Sequence, residues 1–156
     1  MADKVIEYKH LTWQEIAWMI DITIAEMHRN NYVPSYIVPI GYGGIIPAAM
    51  FTYRYCKTRH VPLPMLPPVL CTSYDSDNRR SEVRSVWPRE VGSHIDTEVT
   101  LFIDDICDSG STIRHIKQTM PKSKFFCLVT KDDDTPDWYA TYDSAPVWWV
   151  FPWEKG

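Results

Sequence analysis

The residues best suited to chemistry stand together in Val99–Ile113, which reads VTLFIDDICDSGSTI. Asp104 and Asp105 are adjacent carboxylates that follow the apolar run Val99–Ile103, a buried strand by composition. Asp108-Ser109-Gly110-Ser111-Thr112 then reads as the turn that opens a helix. A helix start leaves backbone N–H groups unpaired. With a glycine and the hydroxyls of Ser109, Ser111 and Thr112 around them, such groups form a cradle for a phosphate. The two carboxylates cannot serve that phosphate, because like charges repel. They suit a sugar diol, a magnesium ion, or both. Helix capping alone would explain an Asp-Ser pair at a strand–helix junction, but it has no use for two carboxylates at a strand end.

A second stretch, IVPIGYGGIIPAAMF (Ile37–Phe51), has the same layout. The short apolar strand Tyr36–Ile40 runs into Gly41-Tyr42-Gly43-Gly44, and a helix follows with Pro47 in its first turn. Glycines so dense require a sharp turn or a close backbone approach.

These two stretches need a scaffold. Thr12-Trp13-Gln14-Glu15 is a capping box before an amphipathic helix, with Trp13, Ile16, Ala17, Ile20, Ile24 and Met27 on its apolar face. HVPLPMLPP is an extended connection, VLCTSY a strand, and DSDNRRSEVRS an exposed polar loop with a weak strand near Val83. EVTLFIDD is a strong strand, STIRHIKQTM a helix, KFFCLVTK a strand, and APVWWVFPWEKG an aromatic strand and turn. Strands apolar on both faces, alternating with helices, imply an α/β domain with a mainly parallel sheet. Ligands of such sheets bind beyond the carboxyl ends of the strands. Both glycine turn and acidic motif fall at that edge. The 156 residues suffice for one domain, 1–156, with a real core.

The formal charge of −4 argues against a general nucleic-acid binder, though not against a small anion held by backbone dipoles. No apolar run is long enough to span a membrane, and the N-terminus shows no signal-peptide pattern. Cys56, Cys71, Cys107 and Cys127 have no CxxC spacing, which gives no zinc or thioredoxin-type pattern; Cys71 and Cys127 read as buried thiols. The expected location is cytoplasmic. His10, His28, His60, His94 and His115 form no triad and no metal spacing.

LFIDDICDSGST resembles the phosphoribosyl-pyrophosphate motif of the type I phosphoribosyltransferases. TSYDSDNRR and LVTKDDD…PVWWVFPWEKG are similar to the corresponding loop and ending of the bacterial xanthine–guanine (6-oxopurine) subgroup. The resemblance implies that fold, with a small hood built from the C-terminal aromatic segment. It also implies an Mg2+-dependent enzyme that transfers phosphoribosyl from phosphoribosyl pyrophosphate to guanine, xanthine or hypoxanthine. The products would be a nucleoside monophosphate and pyrophosphate.

In residues, the resemblance implies the following. The 5′-phosphate sits on Ser109, Gly110, Ser111 and Thr112. Asp104 and Asp105 engage the ribose hydroxyls and magnesium, and Asp108 is the acid/base at N7 of the purine. Lys131 donates to the 6-oxo group, Trp148 stacks on the base, and backbone near Trp149 and Glu154 reads its far edge. Pyrophosphate meets the turn of Tyr42, Gly43 and Gly44, often through a strained or cis peptide, and Arg80 of a mobile loop spanning Tyr74–Arg84.

Taken without the resemblance, Lys131 is equally a solvated residue at a strand end. Trp148, Trp149 and Trp153 are equally core or subunit interface. The chain departs from the subgroup at Tyr42, where an arginine is usual, at the acidic run Asp132-Asp133-Asp134, and at Val150 and Phe151. The alternative function is a non-catalytic or regulatory relative that binds phosphoribosyl pyrophosphate or a nucleotide. The aromatic tail and the family point to a homodimer or homotetramer.

Overall fold

A helix, α1 (Trp13–Arg29), opens the scaffold with the expected capping box. The Glu15 N–H donates to Thr12 Oγ1 at 3.2 Å, and the Thr12 N–H donates to Glu15 Oε2 at 2.7 Å. Its buried stripe is Ile16, Met19, Ile20, Thr23, Ile24 and Met27. Trp13, expected on that stripe, is half exposed and leans on Trp153 with ring centroids 5.9 Å apart.

The computed structural model describes residues 5–72, 83–89, 91 and 97–154. Four strands make the central sheet: β2 (Tyr36–Pro39), β5 (Thr100–Cys107), β6 (Lys124–Thr130) and β7 (Trp138–Tyr142), side by side in that order. All of its pairings are parallel. Two helices join α1: α2 (Ile45–Arg59) and α3 (Ser111–Thr119).

Alternation along the strands decides the layers. Ile37, Leu101, Ile103, Phe126 and Leu128 pack with α1 and α2 on one face. Val38, Ile40, Phe102, Phe125 and Cys127 pack with Ile113 and Ile116 of α3 on the other. Phe102 and Phe125 stack across β5 and β6 at 5.1 Å. A parallel sheet covered on both faces is the arrangement its apolar strands require.

Two small sheets flank it. β3 (Leu70–Thr72) and β4 (Arg84–Val86) form an antiparallel pair, and the VLCTSY segment meets the central sheet through the isolated parallel bridge Ile40↔Val69. β1 (Glu7–His10) pairs in parallel with β8 (Val147–Val150). β1 and β7 were not anticipated. Glu7-Tyr8-Lys9-His10 is polar and holds as a strand only because β8 supplies its ladder. β7 is fixed by β6 and by Asp137, whose carboxylate accepts from the Phe125 N–H at 2.9 Å and pairs with Lys124 at 3.0 Å. Cys127 is buried as expected, whereas Cys71, on the short outer hairpin, is only partly covered.

Candidate active site

Parallel pairing of β2 with β5 brings the carboxyl ends of both strands to one edge, and the glycine turn meets the acidic motif there. The Ile40 N–H donates to the Ile103 carbonyl at 2.8 Å, and the Gly41 N–H donates to Val69 O at 2.7 Å. The three glycines have three different reasons. Gly41 adopts φ +58°, with open space where a Cβ would go. A Cβ on Gly44 would overlap the Ile103 carbonyl and lie 2.6 Å from the Ile40 carbonyl, so backbone packs against backbone. A Cβ on Gly43 would lie 2.6 Å from Asp105 Oδ2, so this glycine makes room for a carboxylate. The peptide bonds of the turn are all trans. Tyr42 projects outward and is 78% exposed.

β5 runs two residues past the strand read from EVTLFIDD, to Cys107, so Asp104 and Asp105 lie within it and not at its end. The ladder to β6 continues through Asp104↔Cys127, Ile106↔Val129 and Cys107↔Thr130, and this pairing overrides the poor strand propensity of aspartate. Each carboxylate accepts from the next backbone N–H: Asp105 N–H to Asp104 Oδ1 at 2.9 Å, and Ile106 N–H to Asp105 Oδ1 at 2.7 Å.

Burial raises both carboxyls above the ordinary range. For Asp104 the neighbouring Asp105 charge adds to burial. For Asp105 burial dominates, and the nearby Glu154 carboxylate contributes in the same direction. Among the described residues no ion pair reaches either group. Two adjacent acids with no ion pair among the described residues fit a divalent cation or a diol.

The next turn is built as a cradle. Gly110 stands at the N-cap of α3 with φ 76° and, as a glycine, offers no side-chain cap to the helix start. Ser109 and Ser111 share a hydroxyl–hydroxyl bond of 3.0 Å. Asp108 is exposed at the mouth of a cleft of about 430 Å³, lined also by Asp104 and by the turn from Ser109 to Thr112. Cys107 lines the same cleft; a hydrogen bond with the Cys127 thiol lowers its thiol to about 7.

Lys131 follows β6 directly. Its N–H donates to Cys107 O at 2.8 Å, and its ammonium donates to Val147 O at 3.1 Å, joining the end of β5 to the start of β8. Trp148 on β8 is 60% exposed, beside Tyr8 in the parallel register. Trp149 turns to the opposite face, where Lys9 lies 5.3 Å over its ring, so only its backbone is on the side of Trp148. Arg80, Arg79 and most of the loop from Tyr74 to Arg84 lie outside the described residues.

The sequence reading missed Arg114 and Thr135, which stand behind the cradle. The Arg114 guanidinium donates to Ser109 O at 2.7 Å and to Thr135 Oγ1 at 3.4 Å. A signal was available for Arg114: four residues past Gly110, it returns to the same side of the helix.

No family model matches the chain. Over 154 residues it is 29% identical to a xanthine-guanine phosphoribosyltransferase of Gluconobacter oxydans, a span of 97% of this chain and 87% of that protein. The purine phosphoribosyltransferase structure from Pyrococcus horikoshii superposes with a TM-score of 0.73 at 22% identity, covering 97% of this chain and 96% of that one. The xanthine-guanine-hypoxanthine phosphoribosyltransferase of Helicobacter pylori gives 0.73 at 18% identity, covering 96% and 95%. With the acidic pair, the hydroxyl-rich turn and the glycine turn at one sheet edge, the chain has the fold of the purine phosphoribosyltransferase structures and is related to the xanthine–guanine phosphoribosyltransferases.

Proposed function

We propose that this chain transfers the phosphoribosyl group of phosphoribosyl pyrophosphate to a 6-oxopurine in purine salvage, yielding a nucleoside monophosphate and pyrophosphate. The observation that carries the reading is the contact between two motifs far apart in sequence. The glycine turn lies close enough to the Asp105 carboxylate that a single methyl at Gly43 would strike it. A donor spanning these motifs has its 5′-phosphate on Ser109–Thr112, its ribose at Asp104 and Asp105, and its pyrophosphate at Tyr42, Gly43 and Gly44.

Displacement at C1 of the ribose builds positive charge on the sugar and negative charge on the leaving group. Backbone N–H groups of the glycine turn stabilise that leaving group as its charge develops; one such donor is worth about 3 kcal/mol in comparable sites. Asp104 and Asp105 would hold the magnesium ion, which supplies charge neutralisation at pyrophosphate when bound. Their carboxylates also lie where they offset the cationic ribose. Asp108, exposed at the cleft mouth, receives the proton from the purine ring nitrogen. Lys131 donates to the 6-oxo group, and Trp148, on the small β1–β8 hood, stacks on the base. Arg80 is the further cation assigned to pyrophosphate. The protein acts as a homo-oligomer.

The test is a base panel. The protein is incubated with phosphoribosyl pyrophosphate, magnesium and guanine, xanthine, hypoxanthine, adenine or uracil, and pyrophosphate release is followed. Turnover with at least one 6-oxopurine, and little with adenine or uracil, is expected. Donor binding without turnover of any 6-oxopurine would instead support a regulatory relative.

A further inference from the structure

The acidic run after Lys131 is an oddity in a protein that must hold a phosphate. Asp132 does not point into solvent. Its Oδ2 accepts the Thr135 hydroxyl and lies 3.5 Å from Arg114 Nη1, while its Oδ1 accepts the Asp134 N–H at 3.1 Å. The Thr135 bond first, then the Asp134 N–H and the Arg114 charge, hold this carboxyl below its ordinary range, so it is ionised at neutral pH. The group packs directly on the phosphate turn: a Cβ on Gly110 would lie 2.8 Å from both Asp132 Oδ2 and Arg114 Nη1 and would overlap Thr135 Oγ1. A negative charge therefore rests against the back of the turn whose front is to receive a phosphate. Unopposed, it would weaken that site.

Arg114 opposes it. Its own N–H donates to Gly110 O at 3.0 Å, and its guanidinium reaches back to Ser109 O at 2.7 Å. In a trans peptide the C=O and the following N–H point in opposite directions. Holding the Ser109 carbonyl toward the guanidinium thus turns the Gly110 N–H away from it, toward the Cys107 thiol, which accepts from it at the floor of the cleft. We propose that Arg114 is a positioning residue of the phosphate turn: it neutralises Asp132 behind the turn and fixes the Ser109–Gly110 peptide, and with it the course of the turn from Ser109 to Thr112. Thr135 holds Asp132 in place for this contact. The inference rests on the proposed transfer reaction for the identity of the phosphate, but the clamp itself can be tested without turnover.

The experiment compares wild type with Arg114→Ala, Asp132→Asn and the double variant. Donor KM and kcat are measured with the preferred base, and backbone hydrogen exchange of residues 108–112 is measured without ligand. Arg114→Ala should raise donor KM about tenfold, the scale of one hydrogen bond to a charged group, with kcat changed less than threefold. Asp132→Asn should stay within about twofold of wild type, and the double variant should recover at least half of the Arg114→Ala defect on a logarithmic scale, because the unopposed charge is gone. Exchange in the turn should accelerate in Arg114→Ala. A purely structural role would lower Tm and leave the double variant no better than the single one. Unchanged donor KM in an active Arg114→Ala enzyme, or a double variant as poor as Arg114→Ala, overturns the inference while leaving the transfer reaction intact. If wild type transfers nothing to any base, the reaction is what has failed; accelerated exchange then still supports the clamp, and unchanged exchange overturns it.

Discussion

Adding one methyl at each glycine of the turn separates three physical causes. In Gly43→Ala the new Cβ would lie 2.6, 2.8 and 2.9 Å from Asp105 Oδ2, Cγ and Oδ1. Ordinary contact begins near 3.4 Å, so the carboxylate must retreat by roughly half an ångström to an ångström. The backbone need not move, because Asp105 is a side chain, anchored by the Ile106 N–H at 2.7 Å. Misplacing a reacting group by about 1 Å can cost on the order of 100-fold in rate. Gly43→Ala should therefore lower kcat by about 10- to 100-fold with little change in Tm.

In Gly44→Ala the methyl meets backbone: the Ile103 carbonyl, Ile40 O at 2.6 Å and Ile40 N at 2.7 Å, the atoms that join β2 to β5. Overpacking there costs about 1–3 kcal/mol or more. At about 2–4 °C per kcal/mol for a chain of this size, Tm should fall by roughly 2–12 °C. Gly41→Ala meets nothing but must hold φ +58°, at a cost of about 1–2 kcal/mol. Calorimetry gives Tm, and steady-state pyrophosphate release gives kcat. A Gly43→Ala enzyme with full turnover, or a Gly44→Ala protein with the wild-type Tm, refutes the geometry argued for the turn.

Three further outcomes are expected. Asp108→Asn should retain donor binding in a calorimetric titration and lose about 100- to 10,000-fold in rate; unchanged turnover removes Asp108 from the acid/base role. Trp148→Ala should raise the KM for the base about 10- to 100-fold, the range of one base–aromatic stack. Its Tm should hold, since the side chain is 60% exposed; an unchanged KM would mean that the base lies elsewhere. Tyr42→Arg should tighten the donor, most visibly at low magnesium, by adding a cation to the glycine turn; a weaker or unchanged donor means that only the main chain of the turn matters.

Much of the scaffold was legible because it is local. The Thr12–Glu15 box, the glycine that opens α2 and the apolar runs of β2, β5 and β6 follow from short-range rules, and the structure has each of them. The polar strand β1 and the aromatic strand β7 were not legible. Each is a strand because of a partner distant in sequence, β8 at 140 residues' separation for Glu7↔Val147, or β6 across the Asp137 turn. Strand propensity depends on such partners more than helix propensity does. The last two residues of β5 were not legible for the same reason, since β6 continues the ladder past Asp105 to Ile106 and Cys107.

For the site, residue types and spacing determined the inventory: an acidic pair, a third acid, a hydroxyl-rich turn opening a helix, and a glycine turn after a strand. Chemistry of that kind is written in side chains and their order, so one chain suffices to read it. The tertiary structure alone decided what each residue faces. It set Asp105 against Gly43, turned Trp148 outward and Trp149 toward Lys9, and buried the acidic pair enough to raise both carboxyls. It also placed Asp132 behind Gly110 with Arg114 between that charge and the Ser109 carbonyl. These are distances between elements remote in sequence. They follow from how parallel strands align and how α3 packs on the sheet, which no local pattern in the chain encodes.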